Sequence, residues 1–550
     1  ATNNVDSNSR LCMSSAVAGY KGAFGFDGPP PAYADLALAD CLLLLGSNAA
    51  ACHPILWARI RERQAEGAFV ICVDPRPTPT AAGSDLHLAV RPGTDLPLLN
   101  AMLHTIVRDG LLDQPFIDRH TSGFAETAAV AAAWPPERAA EVCGVAAADI
   151  ELAARRFAGA GGAMALWSMG ANQSTVGTLK NRALINLCLA TGQIGRPGAG
   201  PLSLTGQPNA MGGRESGGLA HLLPGYREVG NPADRAAMEA HWSTPGPIGA
   251  VPGLTATEIF EPGRVKAIWI VATNPAVSMP DSARVRAALD QAELVVVQDA
   301  HHPTETSSLA HVMLPAAAWP EKQGTMTNSE RRVGLVRKLL DPPGAALADW
   351  EIFARLGRAL GYRDAFAWPD AAAVYDEFAA STAGRPCDVS GLSHERLLQA
   401  GSVQWPCPAA EHDGTARLYA DRRFPTPDGR ARFAATEHAA PAEAPTADFP
   451  LTLTTGRIAE QWHTMTRTGK AAALRTGDPF VELHPLDAPG VAEGDDVRIV
   501  SARGELVARA RLVDRLPRGV AFAPFHWGLL HAPPGAGQLN RATHGAVDPV

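Results

Sequence analysis

The chain has 550 residues, which at roughly 150 residues per domain argues for several domains rather than one. Its residues are 46% apolar and 19% charged, with 52 glycines and 45 prolines; this excludes a disordered chain, which lacks the apolar surface to offset its ordering entropy, and calls for many loops. The net charge of −8 comes without a basic run, so phosphate-driven binding to nucleic acid is excluded.

No apolar stretch approaches the roughly 20 residues that span a bilayer, so a soluble protein without membrane insertion is expected. The chain opens at Ala1 on a polar segment without a signal-peptide pattern and reads as an internal fragment. Eight cysteines, at positions 12, 41, 52, 72, 143, 188, 387 and 407, form no CxxC pair. That scatter fits a reducing compartment better than a disulfide framework.

In chain order, Ala39 to Leu45 is a short buried-type strand stopped by Gly46-Ser47-Asn48, and Pro54 then opens an amphipathic helix to about Gln64. Ala68 to Val73 is the next strand, ending in Asp74-Pro75-Arg76. The three pieces make a βαβ unit. From about Gly195 to Gly253 the chain becomes irregular and rich in glycine and proline, and it contains the segment Gly206 to Glu215; stretches of this kind are usually functional or disordered. A second βαβ unit follows. Val265 to Ala272 is a strand ending in Thr273-Asn274-Pro275, a helix runs near Ser282 to Gln291, and Leu294 to Val297 leads into Gln298-Asp299.

The two units share a spacing. Asn48 precedes Asp74 by 26 residues and Asn274 precedes Asp299 by 25. In a dinucleotide-type unit the first loop meets phosphate at a helix N-terminus, and an acid about 20 residues on bonds a ribose or base. Two such units suggest two nucleotide moieties, although polar residues end strands in any α/β protein. Glu437 to Pro450 is Ala-, Pro- and Glu-rich and reads as a linker. Beyond it, Leu451 to Thr455, Asp496 to Val500 and Glu505 to Arg509 alternate like strands. The expected fold is α/β, with two doubly wound α/β domains at 1–205 and 206–440, a linker at 441–447 and a C-terminal β-barrel at 448–550.

HExxH, GxSxG, P-loop and EF-hand patterns are all missing. The adjacent pairs Cys52-His53 and His301-His302 point their side chains apart and make poor zinc sites. Cys41 and Cys72 read as core residues. Cys12 differs, because Arg10 stands two residues before it in a polar segment, and an electropositive setting favours a thiolate, a nucleophile and soft-metal ligand. Composition alone still allows a structural cysteine.

The string Asn4 to Ala16, with Arg10-Leu11-Cys12-Met13-Ser14 at its centre, resembles the metal-ligand segment of molybdopterin oxidoreductases, and within them the assimilatory and periplasmic nitrate reductases. The resemblance continues in order through Leu45-Gly46-Ser47-Asn48 with Cys52-His53-Pro54, Asp74-Pro75-Arg76, Pro92-Gly93-Thr94-Asp95 and Met169-Gly170-Ala171-Asn172-Gln173. It goes on through Thr205-Gly206-Gln207-Pro208 with Arg214-Glu215, Glu321-Lys322-Gln323-Gly324, and Thr455-Gly456-Arg457 to Gln461-Trp462-His463-Thr464.

The resemblance implies a molybdenum held by two pyranopterin dithiolenes, each extended by a guanine nucleotide (Mo-bis(molybdopterin guanine dinucleotide)). Cys12 supplies the protein sulfur to the metal, with Asn8 in the same segment among the cofactor contacts. By the same resemblance one nucleotide would lie on Asn48, Asp74 and Asp95, and the other on Asn274, Asp299, Lys322 and Asp349. Gly46, Ser47, Pro75, Arg76, Gly93, Thr94, Met169, Gln173 and Gln298 would be further cofactor contacts. Thr455, Gly456, Arg457, Gln461, Trp462, His463, Thr464, Phe525 and Asn540 reach over the pterins from the barrel.

Within the superfamily, Cys12 disfavours members that use serine, aspartate or selenocysteine, and Met13 replaces the histidine that follows the ligand in the formate dehydrogenases most like this chain. Nitrate reduction by oxygen-atom transfer is therefore expected, with Arg214 binding the anion and Met13 and Met169 shaping the cavity. The alternatives are a formate dehydrogenase and a metal-free structural subunit of the same fold. The family's N-terminal four-cysteine [4Fe-4S] segment is not in this sequence and is expected upstream. Its partners are then nitrate and an unidentified electron donor, and a cytoplasmic location is favoured over a periplasmic one.

Overall fold

The computed structural model describes residues 2–244, 246–465 and 477–549. The chain divides into two compact units, one made of 11–206, 417–527 and 531–550, the other of 1–10, 207–416 and 528–530.

The first and larger unit opens on a five-stranded parallel sheet. Its strands are β1 (Cys41–Leu45), β2 (Phe69–Val73), β3 (Leu86–Leu88), β4 (Ala163–Trp167) and β5 (Gly200–Ser203), in the order β3-β2-β1-β4-β5. The two central strands are buried along their whole length. Their continuous apolar runs are what a sheet covered on both faces needs. One face packs on the helices Ser14–Phe24, Asp95–Arg108 and Gly177–Ala190, the other on Pro54–Ala65. The strand order reverses between β1 and β4, and the crevice beyond the C-terminal ends of such a pair is where open α/β sheets bind ligands.

The other unit holds β6 (Ala267–Val271), β7 (Leu294–Asp299) and β8 (Val312–Pro315) as a parallel sheet in the order β8-β7-β6. Beside it β9 (Gly324–Thr327), β10 (Arg332–Val336) and β11 (Ser402–Gln404) form an antiparallel sheet. The expected helix at Ser282–Gln291 is present. The stretch expected to be irregular contains an 11-residue helix, Pro232–Trp242, whose start is fixed by Pro232 in its first turn and by the Asn231 side chain accepting the Ala233 N–H.

In the C-terminal segment no closed barrel is formed among the described residues. Among the described residues β12 (Thr452–Gly456), β13 (Phe480–Leu483), β14 (Asp496–Val500), β15 (Glu505–Leu512) and β16 (Val520–Pro524) form one mixed sheet in the order β12-β16-β13-β15-β14. Its two edge strands, β12 and β14, have no further strand partner among the described residues. The edge strand β14 is exposed at every second residue, including Asp496 and Arg498, and edge charges of this kind oppose further pairing. Residues 437–450 hold neither helix nor strand. No described helix is long and apolar enough to cross a membrane.

Candidate functional site

In the larger unit the side chains of interest gather beyond the C-terminal ends of β1 and β4. After β1 the chain turns through Gly46, whose φ is +56° and whose missing side chain matters: a Cβ there would stand 2.6 Å from the Cα of Gly170. Gly170 donates its N–H to the Gly46 carbonyl at 3.0 Å. The two glycines thus join the exit of β1 to the turn after β4.

That turn carries Met169, and its Sδ lies 3.5 Å from the Sγ of Cys12. Cys12 closes the short helix Ser9–Cys12, Met13 follows, and the helix Ser14–Phe24 begins at once. Both are buried, at 5% and 1% exposure. All eight cysteines are thiols. Burial pushes the Cys41 thiol up to about 12 and Cys72 well above its ordinary value, which fits their expected place in the core.

The loops that follow the strands of the five-stranded sheet carry polar groups with unused hydrogen-bonding capacity. Ser47 Oγ, Thr205 Oγ1 and His53 Nδ1 are buried without partners, while His53 Nε2 meets the Thr205 carbonyl at 3.0 Å. Buried polar atoms of this kind are costly unless something binds them. Asp74, immediately after β2, has its carboxyl pushed up to about 6, mainly by burial and against the pull of the Arg76 backbone N–H. The Arg76 charge offsets this only in part, since its guanidinium forks onto Glu482 at 2.7 and 2.8 Å and lies over the Phe522 ring. Asp74 is therefore a carboxylate suited to a ligand with N–H donors.

The remaining expected contacts are engaged within the fold. The Asn48 side-chain oxygen accepts from Thr80 Oγ1 at 2.9 Å. Gly93 has φ +86°, and Thr94 donates its hydroxyl to the Arg91 carbonyl. Asp95 holds buried Lys180 at 2.7 Å, a partner that the sequence reading missed; a lysine inside the apolar helix Gly177–Ala190 was the available signal. Gln173 is exposed, and Pro75 is half-buried. From the C-terminal segment, Arg457 lies over the Trp462 ring and donates to the Gln461 carbonyl at 2.9 Å. His463 and His526 are both held down at about 4 by burial and by Arg457. His526 accepts the Ile458 N–H at Nε2 and donates from Nδ1 to the His463 carbonyl. Thr455 is exposed, whereas Gly456, Thr464, Phe525 and Asn540 are half-buried.

In the other unit the expected residues lie at the ends of β6 and β7. Asn274 follows β6 by three residues, as Asn48 follows β1, and Asp299 ends β7. The Asn274 oxygen accepts from the Thr306 N–H and hydroxyl, and its Nδ2 donates to Glu305 at 2.9 Å. Gln298 donates to Asp349 at 2.8 Å and leaves its own buried Oε1 without a partner. Lys322 pairs with the other Asp349 oxygen. Burial raises Asp299 above the ordinary carboxylate range.

Arg214 is 2% exposed, in the short helix Ala210–Glu215. Its neighbour Glu215 accepts from Trp405 Nε1 and, at 2.9 Å, from Thr327 Oγ1. Asn8 is exposed.

Among the described residues no group of three or more His, Cys, Asp or Glu side chains could hold a metal. A metal on Cys12 therefore needs donors from a cofactor. Within the larger unit the orphaned Ser47 and Thr205 oxygens and the raised Asp74 carboxyl fit a nucleotide-bearing ligand, and within the other unit the orphaned Gln298 oxygen and the raised Asp299 carboxyl do so independently.

These features fit nucleotide-type ligands at the ends of parallel strands, and the comparisons give the class, a molybdopterin oxidoreductase. The molybdopterin oxidoreductase family profile matches residues 1–359, and the molydopterin dinucleotide binding domain profile matches 451–550. The chain belongs to the molybdopterin oxidoreductase family. It is 47% identical to a nitrate reductase of Synechocystis sp. over all of this chain and 79% of that protein. It is 40% identical to a nitrate reductase of Klebsiella oxytoca over 99% of this chain and 63% of that protein. The F420-dependent formate dehydrogenase subunit alpha of Methanocaldococcus jannaschii is 39% identical over 96% and 77%. Acetylene hydratase from Pelobacter acetylenicus shares the fold, with a TM-score of 0.76 at 20% identity over 98% of this chain and 78% of that one.

Proposed function

We propose that this chain is the catalytic portion of a molybdenum enzyme that reduces nitrate to nitrite, working with Mo-bis(molybdopterin guanine dinucleotide). The observation that carries the reading is the 47% identity to a nitrate reductase over the whole chain. The Cys12 to Met169 contact at 3.5 Å supports it by placing two soft sulfurs where one metal donor is needed.

When bound, the cofactor supplies two-electron oxygen-atom-transfer chemistry, so that nitrate, two protons and two electrons give nitrite and water. The chain's residues do the rest. Cys12 holds the metal through its thiolate. Met13 and Met169 keep water from the sulfur and shape the space beside it. Arg214 binds nitrate, since a planar guanidinium bonds two oxygens of a planar anion and offsets its charge. Asp74, through its carboxylate, takes the N–H edge of one guanine. Asn274, Gln298, Asp299 and Asp349 hold the other.

The test uses the full-length protein carrying its clusters. Nitrate reduction with a reduced viologen dye and formate oxidation with an oxidised one are measured beside the molybdenum content. Nitrate turnover with bound molybdenum is expected; formate turnover alone makes the protein a formate dehydrogenase, and metal-free protein makes it a structural subunit.

A further inference from the structure

We infer that Asn172 is a positioning residue that fixes the thioether of Met13 beside Cys12 through its side-chain amide. The orientation of that amide follows from its neighbours. The Trp167 indole N–H can only donate, so the Asn172 atom facing it at 3.2 Å is the oxygen. Asn181 Nδ2 donates to the same oxygen at 3.0 Å and is itself tied to the Gly177 carbonyl at 2.7 Å. With its oxygen held on two donors, Asn172 turns its Nδ2 to Met13 Sδ at 3.4 Å.

The backbone of the same residue completes the grip. Its carbonyl accepts the Ser15 hydroxyl at 2.9 Å, so Asn172 holds the chain on both sides of Ser14. All the participants are inside the fold: Met13 is 1% exposed, Asn172 4%, and Trp167 and Asn181 0%. A methionine has three rotatable bonds and fits many spaces. An N–H donated to its sulfur selects one rotamer and thereby fixes where the methyl group stands relative to Cys12. Asn172 touches no reacting atom in this scheme; it acts through Met13. The inference deepens the proposed function, and only its catalytic consequence rests on Cys12 being the metal ligand.

The test is a double-mutant cycle in the full-length protein. Asn172→Asp keeps an oxygen for Trp167 and Asn181 but has no amide N–H for Met13. Met13→Leu removes the sulfur from the other side while keeping apolar bulk, and it must give the same effect should the first variant fold poorly. In protein prepared without molybdenum, alkylation of Cys12 by iodoacetamide at pH 8, followed by mass spectrometry, should speed up by roughly 3- to 10-fold in either variant, as expected for losing one hydrogen bond. Adding Asn172→Asp to Met13→Leu should change the rate no further. In molybdenum-loaded protein, Asn172→Asp should raise the nitrate KM more than it lowers kcat and should alter the Mo(V) electron paramagnetic resonance signal.

Wild-type alkylation in Asn172→Asp, or effects that simply add in the double variant, would overturn the inference. If Cys12→Ser keeps molybdenum and turnover, the metal-ligand reading fails instead, and the alkylation result still decides the role of Asn172.

Discussion

The two parallel sheets end alike and are electrostatically unlike. Beyond β1 and β2 the acid is Asp74, raised to about 6, with its neighbour Arg76 diverted to Glu482. Beyond β6 and β7 the raised Asp299 is accompanied by an internally paired Lys322 and Asp349, with Gln298 on the same carboxylate. The spacing repeat therefore duplicates a position at strand ends, not a charge arrangement. The first end also carries the sulfurs of Cys12 and Met169. One end presents two soft sulfurs and a carboxyl without a side-chain cation on it, the other a carboxyl beside a self-neutralised pair.

The largest test of that contrast is Cys12→Ser. Exchanging the soft sulfur for oxygen should shift the molybdenum X-ray absorption edge and cut nitrate turnover by about 100-fold or more; unchanged spectra and rates would erase the sulfur end of the comparison. Arg214→Ala should come next. Loss of a bidentate contact to a charged group costs about 1.5–3 kcal/mol, or roughly 10- to 100-fold in kcat/KM for nitrate, with molybdenum content unchanged. Arg214→Lys should recover only part, because the charge returns without the planar fork.

A smaller effect separates the two ends directly. Asp74→Asn should weaken retention of the guanine-bearing cofactor by roughly 10-fold, since the neutral amide is a poorer acceptor than a carboxylate. Lys322→Ala should also weaken retention, but by leaving Asp349 without its cation, so Lys322→Arg, which keeps the charge, should recover most of the loss. Equal retention in Lys322→Ala and wild type would break the contrast.

The smallest effect concerns stability of the protein without cofactor. The folded pKa of Asp74 is raised above the unfolded value of 3.8 to about 6, so the folded state holds its proton longer. Stability from this group is fully present below about pH 4, falls between about 4 and 6, and stays lower above. His463 and His526 work the other way: lowered from 6.5 to about 4, they cost stability as pH falls from 6.5 toward 4. Thermal melts of wild type and Asp74→Asn across pH 4 to 7 should converge at the acid end and diverge upward of it.

Much of this was legible in the chain. The apolar runs of β1 and β2 announced buried parallel strands because such strands must be apolar on both faces; β6 and β7 are also parallel but only partly buried, and the helix Ser282–Gln291 lies where its pattern put it. Closure of the C-terminal sheet was not legible. Alternating strands look the same in a closed and an open sheet, and only the pairing order puts β12 and β14 at its edges among the described residues. In the candidate site, Cys12 stands out by its polar, cationic neighbourhood, whereas nothing in the motif Met169-Gly170-Ala171-Asn172-Gln173 distinguishes Asn172 from its neighbours. Its role depends on Trp167, Asn181 and Met13, which sequence distance hides.

The sequence by itself determined the family, through its ordered motifs, and determined where strands end, because Gly46-Ser47-Asn48 and Thr273-Asn274-Pro275 cannot continue an apolar strand. Only the tertiary structure decided which charges are spent on the fold and which are left for a ligand. Asp74 and Asp95 look equivalent as residues, yet Asp95 closes on buried Lys180 while Asp74 loses Arg76 to Glu482. A carboxylate's availability depends on which cation lies within about 4 Å and how dry the space is, and both are set by chain segments far away in sequence.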